Sequence, residues 1–566
     1  MRNENKPWYR LLSGHHWFIL SVCTAGWMFA CLDQQLFLLA RKPAVAELSQ
    51  LAETEPKVDE FGGLATSAML IGWATGGVIF GIMGDKIGRA KTMVFTILIY
   101  SIFTGLSGLS VTIYDFVILR FLTGLGVGGQ FGLGVSLAAE TMPERARAPA
   151  LGFLQAVSAM GNMVAALISL AVVTLCFLGF FQQTPWRWVL GIGILPALLS
   201  FVVFRYLDEP EKWKHSVDSE GKKQKAGSLA ELFGTPRWRK NVIVGMILAI
   251  AGVVGLWGIG FFSIDLNRSV FRRAMEDRFR EEGSAVDDQM MVRALLQAPN
   301  SRIKELSDRK LQPQDLLSLT VSDQDPRQIT ACVLALVGQP NISMVEPLTS
   351  DAVLAALEKE RGPDKPLSSA ERARIKAYLE EEIAAEETEF SEIVDRLVER
   401  KRRINYNVGW WGGITSLLFN IGAFFGMYSF SLVTQRIGRK PTFAIFFTLA
   451  YVTTIIAFLF MDRPWEVFWM VPLMGFFQLS VFGGYAIYFP ELFPTRLRST
   501  GVSFCYNIGR VVAALGPAAL GLLTSRIFVE YSEPMRPAGV AMSSIFLIGI
   551  VALFFAPETK DQPLPE

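Results

Sequence analysis

Three charged residues lie inside long apolar stretches of the sequence, where a charge is costly. Asp33, Arg120 and Arg510 have mostly apolar neighbours, and a charge at the centre of a membrane helix costs about 2.5–3.5 kcal/mol on permissive insertion scales. If their segments are helices, Asp33 and Arg120 lie at nearly the same depth, roughly 10 Å from one end at 1.5 Å per residue. Protonation of Asp33 would release Arg120, so the pair could couple a proton gradient to a conformational change. The alternative is a permanent structural ion pair.

Arg510 lies nearer the opposite end of its segment, so it needs a counterion other than Asp33. A substrate carboxylate would serve, and a structural arginine between helices is the alternative. Other polar and aromatic residues at membrane depth could line a site for hydroxyls or carboxylates, or form hydrogen bonds between helices. These candidates are Tyr506, Asn507, Gln34, Gln35, Gln155, Asn162, Asn420, Gln478 and Tyr485.

The elements that position these residues are apolar segments of membrane-spanning length. The chain of 566 residues is 51% hydrophobic, and a helix needs roughly 20 apolar residues to cross the hydrocarbon core. Twelve such segments are predicted, so we expect an all-α membrane protein of two six-helix bundles. The segments are 16–40, 61–83, 92–111, 114–138, 148–178, 186–206, 240–264, 408–434, 441–461, 465–489, 499–527 and 539–556.

A dense, balanced set of charges interrupts the second bundle. The predicted division of the chain is a first bundle at 1–207, a central loop at 208–238, helix 7 at 239–264, an insertion at 265–407, and helices 8–12 with the tail at 408–566. Within the insertion, helices are predicted near 347–360 and 367–400. We expect either a small helical lid or docking module that could bind a partner outside the membrane, or a tolerated extension of an outer loop.

The orientation of the chain follows from its short basic loops. Lys and Arg in short loops favour the cytoplasmic side, and this places both termini in the cytoplasm and the insertion outside. The basic clusters at Arg272–Arg273 and Arg400–Arg403 flank the insertion and disagree with this placement, but long segments translocate largely regardless of charge. We expect a plasma-membrane protein, in the inner membrane if the source is a Gram-negative bacterium.

Composition argues against several other classes of protein. A net charge of +2 from balanced signs does not favour nucleic-acid binding. Five cysteines without a pairing pattern and three histidines predict no metal site. No nucleophile, base and acid grouping suggests an enzyme, and no cofactor loop is visible. The expected driving force is therefore a proton gradient, and the expected partners are a small solute and the lipid bilayer, with a monomeric chain.

Two motifs occur twice, about 350 residues apart. Asp85-Lys-Ile-Gly-Arg89 is matched by Gln435-Arg-Ile-Gly-Arg439. The pattern E-x-x-P-x-R-x-R begins at Glu140 and again at Glu491. Six helices with short loops need about 200 residues, so the remaining 140–150 or so measure the insertion. The two halves are therefore predicted to be repeats.

These motifs resemble those of the major facilitator superfamily. The segment Gly81–Lys91 is similar to its loop 2–3 signature, and Arg120–Gly129 to its helix 4 signature. The paired E-x-x-P-x-R-x-R motifs and Pro557-Glu-Thr further resemble sugar porters and organic acid–proton symporters. The resemblance implies two bundles that rock about a central site, and a cytoplasmic gate formed by Gly81, Asp85, Gly88, Arg89, Glu140, Arg147, Arg436, Arg439, Glu491 and Arg498. Because Gln435 replaces the expected acid, we expect an asymmetric gate to which the second-half loop contributes through its arginines.

Three functions are compatible with these features. The leading hypothesis is proton-coupled symport of a small polar solute, an organic acid or a sugar, by alternating access. Proton-driven efflux is disfavoured because the Gly-Pro signature of drug antiporters is missing from 151–170. A sensor derived from a transporter, with the insertion as its ligand-binding part, is the alternative from another class.

Overall fold

The computed structural model describes residues 7–51, 56–180, 185–207, 209, 227–260, 266–268, 270–275, 285–297, 348–361, 367–384, 390–516, 519, 523–528, 530–531 and 533–565. These residues form helices, turns and short connections, and no strand is present among them. Most of the predicted central loop, and the part of the insertion between 298 and 347, lie outside the described residues.

The helices are numbered here in chain order. Short 3₁₀ turns at Trp8–Leu11, Pro464–Glu466 and Thr495–Leu497 accompany them, together with π turns at Leu256–Gly260 and Leu523–Ile527. The helices are α1 Gly14–Ser49, α2 Pro56–Ile87, α3 Arg89–Ser107, α4 Ile113–Thr141, α5 Glu144–Phe177, α6 Pro185–Ile192, α7 Ala197–Tyr206, α8 Leu229–Gly234, α9 Pro236–Gly255, α10 Ala285–Gln297, α11 Ser350–Arg361, α12 Ser369–Ala384, α13 Phe390–Ile437, α14 Arg439–Phe460, α15 Val467–Leu492, α16 Arg498–Ala513, α17 Met535–Ser543 and α18 Ile545–Ala552.

Eleven helical segments of the described chain are long and apolar enough to cross a membrane. They correspond in order to predicted helices 1–10 and 12. The predicted helix 11 at 499–527 is described as α16, only 16 residues long, followed by a partly described stretch. The protein is therefore an all-helical, multi-pass membrane protein, and the count of twelve spans stays a prediction.

Two compact units divide the chain. The first comprises Met1–Asn267 with Trp411–Glu566, and contains α1–α9 and α14–α18. The second comprises Arg268–Trp410. It has a hydrophobic core of its own, centred on residues such as Leu295, Leu354 and Leu379. Its predicted placement outside the membrane stays a prediction.

Tight turns separate two pairs of consecutive helices in the first unit, and both depend on glycine. Gly88, between α2 and α3, has φ of 116°, and Gly438, between α13 and α14, has φ of 98°. Residues other than glycine rarely adopt such positive φ values. Thr92 and Thr442 then donate hydrogen bonds of 2.6 Å to the Gly88 and Gly438 carbonyls, respectively. The repeated sequence motif therefore forms the same turn twice.

Helices α2 and α4 approach each other through small residues. A Cβ atom on Gly128 of α4 would overlap the Trp73 carbonyl of α2 and lie 2.5 Å from the Gly77 amide nitrogen. Gly124 is similarly close to the Met69 carbonyl. Small residues permit this approach of two backbones in a membrane, where packing replaces the hydrophobic effect as the force between helices.

Replacing Gly128 with alanine is expected to destabilise the protein by about 1–3 kcal/mol, because the added methyl group has backbone atoms in its place. The measurement is the apparent melting temperature of the purified protein in detergent. Gly63→Ala is the matched control, since nothing lies within 4 Å of a Cβ at Gly63 on α2. An equal melting temperature for Gly128→Ala and the wild type would contradict the described packing.

Candidate functional site

A small cavity lies among the helices of the first unit. Its volume is about 60 Å³, which is room for a few water molecules. Of the residues proposed from the sequence, seven line it: Gln34, Gln35, Gln155, Asn162, Asn420, Tyr506 and Arg510. The others that line it are Trp27, Cys31, Ser158, Leu256, Trp257, Ser416, Phe419, Met427, Leu479 and Phe482.

Among the described residues that line this cavity, Arg510 is the one arginine or lysine, and 2% of it is exposed. Its guanidinium lies 3.9 Å from the ring centroid of Trp73 and 4.3 Å from that of Tyr506. The Nη1 atom donates to the Asn507 side-chain oxygen at 3.0 Å, whereas the Nε–H group has no partner among the described residues. No carboxylate of the described chain forms an ion pair with Arg510. Aromatic faces hold this cation, and its charge is left unbalanced.

Three of the proposed residues support the cavity without lining it. Asn507 fixes Arg510 and donates to the Gly128 carbonyl at 3.2 Å. The Tyr485 hydroxyl donates to the Leu248 carbonyl at 2.5 Å, and the Gln478 amide donates to Thr454 at 2.7 Å. These side chains bond to neighbouring helices, so they stabilise the helices that form the cavity.

Polar side chains of the cavity also bond to one another. The Trp27 indole N–H donates to Gln155 at 3.0 Å. The Asn162 amide donates to Asn420 at 3.0 Å, which joins α5 to α13. The cavity therefore combines carboxamide groups, aromatic faces and one cation, a lining suited to a small polar or anionic molecule.

Asp33 and Arg120 are both fully buried in the first half. Arg120 bonds to Ser107, donates to the Phe103 carbonyl at 3.3 Å, and lies over the rings of Phe37 and Phe116. Both oxygens of Asp33 lack a hydrogen-bond partner among the described residues. The opposite charges attract each other, yet they are not in ion-pair contact. The structure thus places the two groups in one region, with Arg120 held by α3.

The other end of the first unit carries the motif residues, and we call this end the latch face. Glu140 accepts from Arg89 at 2.9 Å and from Arg498 at 2.6 Å, and all three side chains are buried. Asp85 accepts from the backbone N–H groups of Ser499 and Thr500, at 3.1 and 2.8 Å. Buried charge-assisted bonds of this kind are among the strongest in proteins. They join the first half of the chain directly to the start of α16 in the second half.

The second copy of the motif makes fewer bonds between the halves. Arg439 forms an ion pair of 2.8 Å with Glu491, the counterpart of Arg89 with Glu140. Arg147 donates to the Ala139 carbonyl of its own half, and its charge interacts with Glu491 at longer range. Gln435, in the place of Asp85, donates to Ser431 on its own helix. The bonds are therefore asymmetric between the two copies.

The two remaining gate candidates have different surroundings. The backbone carbonyl of Arg436 accepts from Lys560 at 3.0 Å. A Cβ on Gly81 would lie 2.8 Å from the Cβ of Ser503. Gly81 therefore permits close contact between α2 and α16.

Two glutamates that the sequence hypothesis did not assign cap the repeated turns. Glu209 accepts from the backbone N–H groups of Arg89 and Lys91, and Glu558 accepts from those of Arg439 and Lys440. Partial burial raises the pKa of Glu558, but its backbone N–H donors lower it more, so the pKa lies below its ordinary value. Their similar positions after the last helix of each half could have identified the pair.

Helical spacing could also have identified part of the cavity lining. Trp27 and Cys31 precede Gln34 and Gln35 at intervals that place all four on one side of α1. Ser158 likewise lies between Gln155 and Asn162 on α5. No comparable signal in the sequence connects Trp73 with Arg510, because their contact joins α2 to α16.

Comparison with known proteins places these observations in a family context. The chain matches the sequence profile of the Major Facilitator Superfamily over residues 20–272 and 401–566. It is 21% identical, over 98% of its length, to a protein of Cupriavidus pinatubonensis named "Probable 4-methylmuconolactone transporter", and covers 93% of that protein. It is 20% identical, over 88% of its length, to the cis,cis-muconate transport protein of Acinetobacter baylyi, and covers 86% of it.

A solved structure shares the fold. The proton:xylose symporter XylE, bound to 6-bromo-6-deoxy-D-glucose, aligns with a TM-score of 0.53 and 14% identity, with 97% of each chain covered. At this level of identity the likeness shows the fold alone.

Replacing Glu558 with glutamine is expected to destabilise the protein at neutral pH by about 0.3–1 kcal/mol, because a carboxylate at a helix N-terminus is lost. Since the folded-state pKa is lowered, the stabilisation is present above the unfolded pKa, near 4.3. It disappears as the pH falls through the folded pKa. Melting temperatures of the wild type and variant should therefore converge at acidic pH. Asp561→Asn is the control, because Asp561 is an exposed carboxylate of the same tail; a constant difference at every pH would contradict the capping role.

Proposed function

Because the chain belongs to the Major Facilitator Superfamily and is therefore a membrane transporter of small solutes, we propose that its substrate is an organic carboxylate carried by proton-coupled symport. The observation that supports the substrate class best is Arg510, a buried cation in the cavity lining without a carboxylate partner among the described residues. Burying an ion without a partner is expensive. A substrate carboxylate would supply the missing charge.

The geometry of Arg510 favours a carboxylate over a neutral ligand. The guanidinium carbon of Arg510 lies over the rings of Trp73 and Tyr506, and its Nη1 atom donates to Asn507, so the remaining N–H groups are the part left for polar contacts. The unpartnered Nε–H group is a donor of the kind that carboxylates accept, with a gain in strength from the charges. Gln34, Gln35 and Gln155 would then contact the remaining polar atoms of the solute. The two relatives named as transporters of 4-methylmuconolactone and cis,cis-muconate agree with this class.

A sugar is the second candidate. The carboxamides of the cavity and its aromatic rings suit hydroxyl groups and sugar rings, and the XylE fold supports the idea by analogy. A neutral sugar would, however, leave the charge of Arg510 unbalanced. For this reason the carboxylate is preferred.

The transport cycle that we propose uses the latch face as one gate. In the described state, Arg498 and Asp85 tie the two halves together at that face. The cavity lies among helices of both halves, so separation of the helices on one side would open it to the solute. Breaking the buried bonds at the latch face, once the solute is bound, would expose the site to the other side.

Proton coupling is assigned to Asp33. The buried Asp33 carboxylate has the Thr104 hydroxyl beside it but no ion-pair partner in the described chain, so it is costly to keep charged, and protonation removes this cost. Arg120 donates hydrogen bonds to α3 and is not in contact with Asp33. The two groups nevertheless attract each other when Asp33 is charged. Binding and release of a proton at Asp33 would therefore change the electrostatic balance between α1 and the α3–α4 pair in each cycle.

Replacing Arg510 with glutamine is expected to weaken binding of cis,cis-muconate by at least tenfold, because a charge-assisted bond contributes about 1.5–3 kcal/mol. Arg510→Lys, which keeps the charge and loses the planar donor geometry, should bind with intermediate affinity. Binding of labelled muconate and of xylose to purified protein is the measurement. Unchanged muconate affinity in Arg510→Gln would exclude a carboxylate at this residue, and xylose binding lost to the same degree would favour the sugar.

Replacing Asp33 with asparagine is expected to abolish solute accumulation driven by an imposed pH gradient in proteoliposomes. Exchange of labelled for unlabelled solute should continue at a rate within about tenfold of the wild type, because Asp33 does not line the cavity. The exposed Asp561→Asn variant serves as the control. Undiminished gradient-driven accumulation by Asp33→Asn would remove the coupling role and leave the carboxylate proposal intact.

A further inference from the structure

An apolar groove opens beside the start of α9, next to the end of α18. It has a volume of about 320 Å³, and its apolar walls are formed by Ile243, Val244, Ile247, Ala552 and Phe555. Ile243 is 47% exposed and Phe555 61% exposed, so apolar surface here is accessible from outside the helix bundle. In a membrane protein such surface faces acyl chains.

Two cations lie at one end of this groove. Arg239 and Lys240 line it together with Pro236, and both side chains are exposed. Neither forms an ion pair with a carboxylate of the described chain. Lys240 also borders a second, more polar cavity of about 550 Å³, next to Arg237 and Asn241. A row of basic side chains therefore separates an apolar groove from a polar space at the latch face.

The spacing of these residues places charge and apolar surface in one line along the helix. Arg239, Ile243 and Ile247 follow one another at intervals of four residues, which places them on one face of α9. Two turns of helix separate the first from the last, a distance of about 12 Å at 1.5 Å per residue. The line thus leads from the membrane surface toward the hydrocarbon core.

We propose that this groove binds an anionic phospholipid from the leaflet on the latch-face side. The phosphate lies between Arg239 and Lys240, and one acyl chain follows Ile243 and Ile247 against Phe555. Basic side chains at the end of a membrane helix attract anionic headgroups. The apolar walls of the groove contact one acyl chain of the bound lipid in place of the neighbouring lipids. A zwitterionic lipid offers the same chain and no net charge. A free phosphate offers the charge and no chain.

The experiment titrates the purified full-length protein in detergent with palmitoyl-oleoyl phosphatidylglycerol and follows its melting temperature. Phosphatidylcholine with the same chains, and inorganic phosphate, are tested in parallel. Phosphatidylglycerol alone should stabilise the protein strongly. In the double variant Arg239→Gln and Lys240→Gln, its apparent affinity should fall about 30-fold, since each basic residue near the surface contributes about 1 kcal/mol. Arg205→Gln at the end of α7 is the matched control, and it should retain the wild-type affinity.

A second variant tests the apolar wall with both cations in place. Phe555→Ala removes an exposed ring, so folding should be unaffected, and the affinity for phosphatidylglycerol should fall about tenfold. The proposal is overturned if phosphatidylcholine stabilises equally well, if inorganic phosphate reproduces the effect, or if the double variant keeps the wild-type affinity. It is also overturned if Phe555→Ala binds phosphatidylglycerol as tightly as the wild type.

Discussion

The contact between Glu140 and Arg498 is the interaction on which the described state of this transporter depends. It joins the two halves of the chain at 2.6 Å between fully buried side chains. Arg89 shares the same carboxylate, and Asp85 accepts from the first N–H groups of α16 beside it. Because Glu140 is shared by Arg89 and Arg498, and Arg89 also contacts Asp85, removal of one member changes the charge balance of the others. In the transport cycle that we propose, these bonds would form in one state and be replaced by hydration in the other.

Within the described chain, buried charges at the latch face have partners of opposite charge, whereas Arg510 in the cavity has no carboxylate partner. Every buried acid of the latch has a cationic or backbone partner, whereas Arg510 has aromatic faces and a carboxamide. Asp33 has the Thr104 hydroxyl beside it but no ion-pair partner within the described chain. The contrast agrees with the proposed roles. The charges of a closed gate need partners within the protein, whereas a binding site keeps a charged group that the ligand can pair with.

Repetition of the chain explains the architecture of the latch face and also its asymmetry. Gly88 and Gly438 form the same turn. Glu209 caps α3, which follows the first turn, and Glu558 caps α14, which follows the second. The repeated motif therefore gives both halves the same turn and the same helix cap. Only the first copy carries an acid, Asp85, that reaches the N-terminus of a helix in the other half; Gln435 bonds within its own helix instead. One substitution within a repeat thus changes a bond between halves into a bond within one half.

The sequence by itself identified eleven membrane-spanning helices that the structure describes, and it located the repeated motifs, because apolar length, turn glycines and repeated spacing are local properties of a chain. It also identified Asp33, Arg120 and Arg510 as unusual, since charge at membrane depth can be recognised without coordinates. The partners of these residues were decided by tertiary structure alone. Trp73 covers Arg510, and α3 holds Arg120 away from ion-pair contact with Asp33. Such contacts depend on how helices that are distant in sequence rotate and pack against each other. The spacing of residues within one helix does not show which face of a neighbouring helix it contacts.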